Sequence, residues 1–171
     1  MGKKRASLLA ALAVVMLTAP PALANGGQGA HTIRSAGPLR DLSIATTDVT
    51  DGEFADVKAT VHGSSMHVKL RLEGLGPAFT GQAFGAHVHS GSCLAGNGAA
   101  AGPHYNAGGG VSDHTEVWLD FTVGRNGSAK SDTHVEFTIP AGAASAVVIH
   151  ALVTAPDGTA GARLACLPVP F

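Results

Sequence analysis

The sequence predicts an all-β fold, an eight-stranded antiparallel sandwich or barrel with Greek-key connections. Three observations carry this. Apolar and polar residues alternate with period two in several short runs, glycine-rich turns separate those runs, and no stretch beyond the N-terminal segment has a convincing helical period. The composition, 45% hydrophobic and 13% charged, excludes a disordered charged polymer.

The N-terminal segment is set aside first. Lys3, Lys4 and Arg5 precede an apolar run of ten residues, Leu8 to Leu17, and Ala22-Leu23-Ala24 supplies small residues for cleavage, so residues 1–24 read as a secretory signal peptide. The run is too short for a membrane span, which needs about 20 residues. Residues 25–38 are Gly-rich and aperiodic and read as a flexible arm, leaving 39–171 as one β domain. The expected location is secreted, either extracellular or in a periplasm-like space.

Within the domain, Met66, Val68, Leu70 and Leu72 alternate with His67, Lys69, Arg71 and Glu73. Val117, Leu119, Phe121 and Val123 alternate with Trp118, Asp120 and Thr122. A third run, Val135-Phe137-Ile139, follows Asn126-Gly127, a strong hairpin signal; Asn126-Gly127-Ser128 is also spelled as a glycosylation sequon, but turn chemistry is the better reading. Weaker strands are expected at 40–49, 54–62, 84–89, 146–153 and 160–166. The segment 141–155 is apolar enough for a helix, but Val147-Val148-Ile149 is β-branched and Pro140 and Pro156 bracket it, so it reads as a buried strand. Between the strands at 84–89 and 116–124 lies a loop of about 26 residues, a length that usually signals function or disorder.

All 12 acidic residues lie beyond residue 24, whereas three of the 11 basic ones precede it. The exported part is therefore net acidic and has no Lys/Arg cluster, which argues against nucleic acid as a partner. Cys93 and Cys166 both fall in that part, where a disulfide is permitted; two buried free thiols are the alternative, and an exported chain with two cysteines favours the bond.

His87-Val88-His89 places two imidazoles on one face of an extended segment, close enough to share a metal. His104 lies in the long loop, and His150 interrupts an apolar strand, where an unpartnered imidazole is costly. For one such residue a satisfied core histidine is the plainer reading. Four that a sandwich can bring together favour a metal, with copper, zinc and iron all compatible with imidazole ligation.

The segments Phe84-Gly-Ala-His-Val-His89 with Cys93, Gly102-Pro-His-Tyr-Asn106, Val148-Ile-His150 and Gly161-Ala-Arg-Leu-Ala-Cys166 resemble, in order, the motifs of the copper/zinc superoxide dismutases. The resemblance covers roughly residues 40 to 168. It implies a Greek-key β-barrel with copper on its outside, under a long metal-binding loop. It further implies His87, His89, His104 and His150 as copper ligands, His104 being the one that bridges to zinc. Arg163 would be the catalytic guiding arginine, Cys93 and Cys166 the intrasubunit disulfide, and superoxide anion the substrate. The resemblance admits a homodimer without identifying an interface.

The zinc site departs from that pattern. Beyond His104 the loop offers one histidine, His114, with Asp113 and Glu116 as nearby carboxylates; these are weak candidate zinc donors. Setting His114 on the family's last zinc histidine puts Val117 at its aspartate position, and the middle zinc histidine has no counterpart. A structural zinc site needs four donors, so the expectation is a copper-only enzyme in which zinc binds weakly or not at all. The family's aspartate that orients ligands of both metals has no match either, Asp157 lying in a turn signal. A non-catalytic copper-binding protein of the same fold, for buffering or delivery, is the alternative; Arg163 favours catalysis, the eroded zinc site favours storage.

Overall fold

The computed structural model describes residues 30–43 and 53–171. The signal segment and most of the strand expected at 40–49 lie outside these residues. Two antiparallel sheets face each other. One has the order β1 (His31–Pro38), β3 (Phe54–His62), β4 (Ser65–Glu73), β7 (Ala129–Val135); the other has β2 (Arg40–Asp41), β9 (Arg163–Pro168), β8 (Ala146–His150), β5 (Ala83–His89), β6 (Phe121–Thr122). The chain passes between sheets repeatedly, as a Greek-key sandwich requires, and the described residues contain no α-helix. None of their helices is long and apolar enough to cross a membrane.

Alternation places the core. Ala55, Val57, Ala59 and Val61 of β3 and Met66, Val68, Leu70 and Leu72 of β4 point inward, meeting Ala86 and Val88 of β5 and Val147 and Ile149 of β8. The five-stranded sheet differs in being covered on both faces, because every residue of β8 is buried and β5 is exposed only at Ala83. Its second face packs beneath the long loop, where Leu42, Cys93, Ala101, Ala146, Val148 and Cys166 form a smaller core. Odd-numbered residues of β5 and even-numbered ones of β8 look onto that face, and these include three histidines.

Three expectations need correction. Residues 31–38, read as arm, form β1 and pair along their whole length with β3; six of the 8 residues are small or polar, so the pattern hides a strand whose pairing is carried by its backbone. The run 135–139 is shifted: the strand is Ala129–Val135, with Ser131 and Thr133 on partly buried positions that sequence cannot distinguish from solvent-facing ones. Asn126-Gly127 does make a tight turn, with Gly127 at φ 68°, but it carries the chain from β6 in one sheet to β7 in the other and closes no hairpin.

Candidate metal centre

Four imidazoles converge on the outer face of the five-stranded sheet. Each of His87, His89, His104 and His150 offers one nitrogen, and these nitrogens all lie within 4.8 Å of one another. The strand period delivers His87 and His89 together, while antiparallel pairing of β5 with β8 sets Gly85 opposite His150 and brings the third ring alongside. Gly85 is required here, since a Cβ would stand 2.7 Å from the Leu152 carbonyl oxygen. A register irregularity between Ile149 and His150 then makes His150 the cross-strand partner of Arg163.

His104 arrives through the long loop, which doubles back on β5. The Ser90 N–H donates to the Pro103 carbonyl, Tyr105 donates to Val88, and His89 and His104 form an isolated bridge. The Cys93–Cys166 disulfide, Cα to Cα 5.7 Å, fastens this loop to β9. Ring centroids in the cluster are 4.0 Å apart for His87–His104 and 6.4 Å for His87–His89, the closest and widest pairs.

Hydrogen bonds fix which nitrogen each ring presents. His89 donates from Nδ1 to the Gly102 carbonyl at 3.1 Å, His150 from Nδ1 to the Gly161 carbonyl at 3.4 Å, and His104 from Nδ1 to Glu116 Oε2 at 2.9 Å. All three therefore turn Nε2 inward as a lone pair. His87 is reversed: Nε2 donates to Thr154 Oγ1 at 2.7 Å, and Nδ1 is buried with no hydrogen-bond partner. The His89 and His150 Nε2 atoms are 3.2 Å apart, and with both Nδ1 protons engaged neither has a proton to give the other. Four inward lone pairs, one of them orphaned, are the requirement for a cation, and that spacing suits imidazole–metal bonds of about 2.0–2.1 Å.

Three of the rings are also held neutral. Burial lowers the His87 pKa to about 2, helped by the neighbouring His104, His150 and His89. Burial likewise lowers His89 to about 3 and His150 to about 4, where a hydrogen bond to a backbone carbonyl opposes the shift and His104 and Arg163 add to it. A metal ligand must be unprotonated, so this environment favours binding across the neutral pH range.

Two carboxylates stand behind the rings. Glu116 is buried and accepts from His104 Nδ1 at 2.9 Å, Trp118 Nε1 at 2.9 Å and Asn106 Nδ2 at 3.2 Å. Burial alone would raise its pKa, but these three donors outweigh it and hold the carboxyl below the ordinary glutamate value. Asp120 acts through Thr154: its oxygens accept from Thr154 Oγ1 at 2.6 Å and Thr154 N at 2.7 Å, and the Ala86 N–H donates to it at 3.2 Å. Because Asp120 takes that N–H, the expected strand 117–123 runs beside β5 mostly without a regular ladder, and only Phe121–Thr122 remain as β6.

Of the remaining sequence candidates, Arg163 borders the cluster. Its Nη1 donates to the Gly98 carbonyl at 2.6 Å and its Nη2 to the Gly102 carbonyl at 2.7 Å. The three weak zinc donors separate: Glu116 joins His104, whereas the side chains of His114 and Asp113 are 91% and 67% exposed and face each other 3.7 Å apart, away from the cluster. Asp157 is confined to its own turn, accepting from Thr159. Sequence reasoning missed Thr154 and Asp120. The one available signal was a lone carboxylate on the polar side of the 117–123 alternation.

No family model matches the chain, and no curated protein matches it. Among solved structures it is similar to a double mutant of a SOD-like protein from Bacillus subtilis, with 18% identity, a TM-score of 0.52, and coverage of 80% of this chain and 97% of that one. That likeness is one of fold, and it agrees with the two antiparallel sheets described above.

Proposed function

We propose that the chain is an exported, copper-dependent superoxide dismutase without a zinc site. The observation that carries this reading is the set of four inward imidazole lone pairs, including the orphaned His87 Nδ1, bordered by the Arg163 guanidinium. Neutral imidazoles on rigid strands tolerate both oxidation states of copper. Bound copper would supply a one-electron shuttle, so that two superoxide anions and two protons yield one dioxygen and one hydrogen peroxide.

The chain's own residues account for the rest. Arg163 is permanently charged and held by two carbonyls, so it presents a fixed cation that draws a small anion toward the four rings. His87, His89 and His150 keep fixed tautomers through Thr154, Gly102 and Gly161. His104 holds its Nδ1 proton on Glu116, where the resembling family places zinc, and the Glu116 carboxylate stabilises the ring if Nε2 also takes up a proton. A buried carboxylate in that place supports the copper-only reading, as does the separation of His114 and Asp113 from the cluster. The disulfide fits an oxidising compartment, in keeping with export.

The test is superoxide removal by the mature chain loaded with copper alone, beside His150→Ala and Arg163→Ala. Expected are activity well above that of free copper, loss of metal in His150→Ala, and a drop of about tenfold or more with a weaker salt dependence in Arg163→Ala. A parent no better than free copper, while still retaining the ion, would leave a copper-holding protein and defeat the enzymatic reading. More than about half an equivalent of zinc kept at this centre after chelation would defeat the copper-only part.

A further inference from the structure

The outer face of the four-stranded sheet carries a second group of metal-type donors that the centre above does not use. In the register of β3, β4 and β7, Thr60, His67 and His134 form one row, with His67 directly opposite His134. Their ring centroids are 6.4 Å apart, the same separation as that of His87 and His89. Two carboxylates from β7 and its continuation flank the pair. His67 Nε2 donates to Asp132 Oδ1, and His134 Nε2 donates to Glu136 Oε1 at 3.1 Å.

We propose that His67, His134, Asp132 and Glu136 form a second binding site for a divalent transition-metal ion of the zinc class, on the face remote from the four-histidine cluster. Each imidazole already aims a nitrogen at a carboxylate in its own hydrogen bond, and side-chain rotation that turns the two nitrogens toward each other would let one ion take the place of both bonds. Two nitrogens and two oxygens make a donor set that suits zinc in four-coordinate form. Three of the four residues lie on paired strands, which fixes their Cα positions in advance; only the side chains must turn.

Lys69 opposes the ion. Its ammonium is 2.8 Å from Asp132 Oδ2, so it shares that carboxylate with His67 and places a positive charge beside the incoming cation. The site is therefore expected to be weaker than the buried cluster, and Lys69 to set its affinity. The proposal is independent of what the four clustered histidines bind.

The experiment is a zinc titration of the metal-stripped, disulfide-intact chain, read by binding stoichiometry and by the imidazole proton resonances. The parent is compared with the double variant His67→Gln/His134→Gln and with Lys69→Met, all substitutions on the outer face of the sheet and checked for unchanged thermal unfolding. The parent is expected to take up one zinc equivalent more than the double variant, whatever the buried cluster holds. The resonances of His67 and His134 should move together, and Lys69→Met should bind that equivalent several-fold more tightly. Equal zinc uptake by parent and double variant overturns the proposal. So does a Lys69→Met variant that binds no tighter, since the carboxylates then serve only their surface ion pairs.

Discussion

Metal-free protein is expected to lose stability steeply as the pH falls from 7.5 to 5. The perturbation is protonation of His87, His89 and His150, whose pKa values in the folded chain are about 2, about 3 and about 4 against an ordinary 6.5. The unfolded chain takes up protons as the pH drops through 6.5, whereas the folded chain refuses them until far lower, so acid favours unfolding. The effect is absent well above 6.5 and grows below it. At pH 5 an ordinary imidazole is almost fully protonated while His150 is about one-tenth protonated, which gives a slope of about 1.2 kcal/mol per pH unit and a loss of about 2 kcal/mol between pH 8 and 5. The three rings together give about 6 kcal/mol, comparable with the whole stability of roughly 5–15 kcal/mol expected of a domain. Because they repel one another's charges they titrate as a group, and the measurement reads their sum. Urea midpoints of the stripped, disulfide-intact chain across this range would show it, with His150→Ala flattening the slope by about one proton. A net uptake of less than one proton on unfolding between pH 6 and 5 refutes the reasoning, because the rings would then already be charged in the folded chain.

Other consequences can be measured on the same material. Reducing the Cys93–Cys166 bond, whose partners are 73 residues apart, is expected to cost about 4 kcal/mol by the chain-entropy model and to lower the urea midpoint accordingly. Thr154→Val keeps the shape but removes the hydroxyl between His87 and Asp120; metal retention against a competing chelator should fall by about 10–100-fold, and no change would show that Thr154 does not position the ring. Glu116→Gln removes the anionic partner of His104 and should weaken metal retention similarly. The lowered pKa of Glu116 gives it a stabilising effect that is present above the ordinary glutamate range of about 4.3 and is lost as the pH falls below it. In the Gln variant that part of the acid loss should vanish.

Most of the fold was legible because its core strands alternate cleanly. Met66 to Leu72 and Val147 to Ile149 announce one buried face and a doubly buried strand respectively. What escaped were strands whose pairing rests on backbone bonds more than on side chains. The strand at 31–38 has Gly37 and Pro38 at its end and small residues along it, and nothing in its period reports that it has a partner in β3. The Asn126-Gly127 signal specifies a turn geometry and is silent about which sheet the next strand joins. At the site, residues on alternating or interrupted apolar strands stood out, as His87, His89 and His150 did. Thr154 and Asp120 did not, because their importance depends on hydrogen bonds across 34 positions of sequence, and each looks like an ordinary strand-edge or loop residue.

The carbonyl oxygen of Gly102 accepts one hydrogen bond from His89 Nδ1 and another from Arg163 Nη2. Gly102 has φ 66°, a conformation that suits glycine, and it lies in the loop that the disulfide ties to β9. One oxygen atom thus aligns both a ring that would grip the ion and the guanidinium that would draw in its substrate. If oxidation of the two thiols sets this oxygen in place, the ring and the guanidinium are aligned together in a single event.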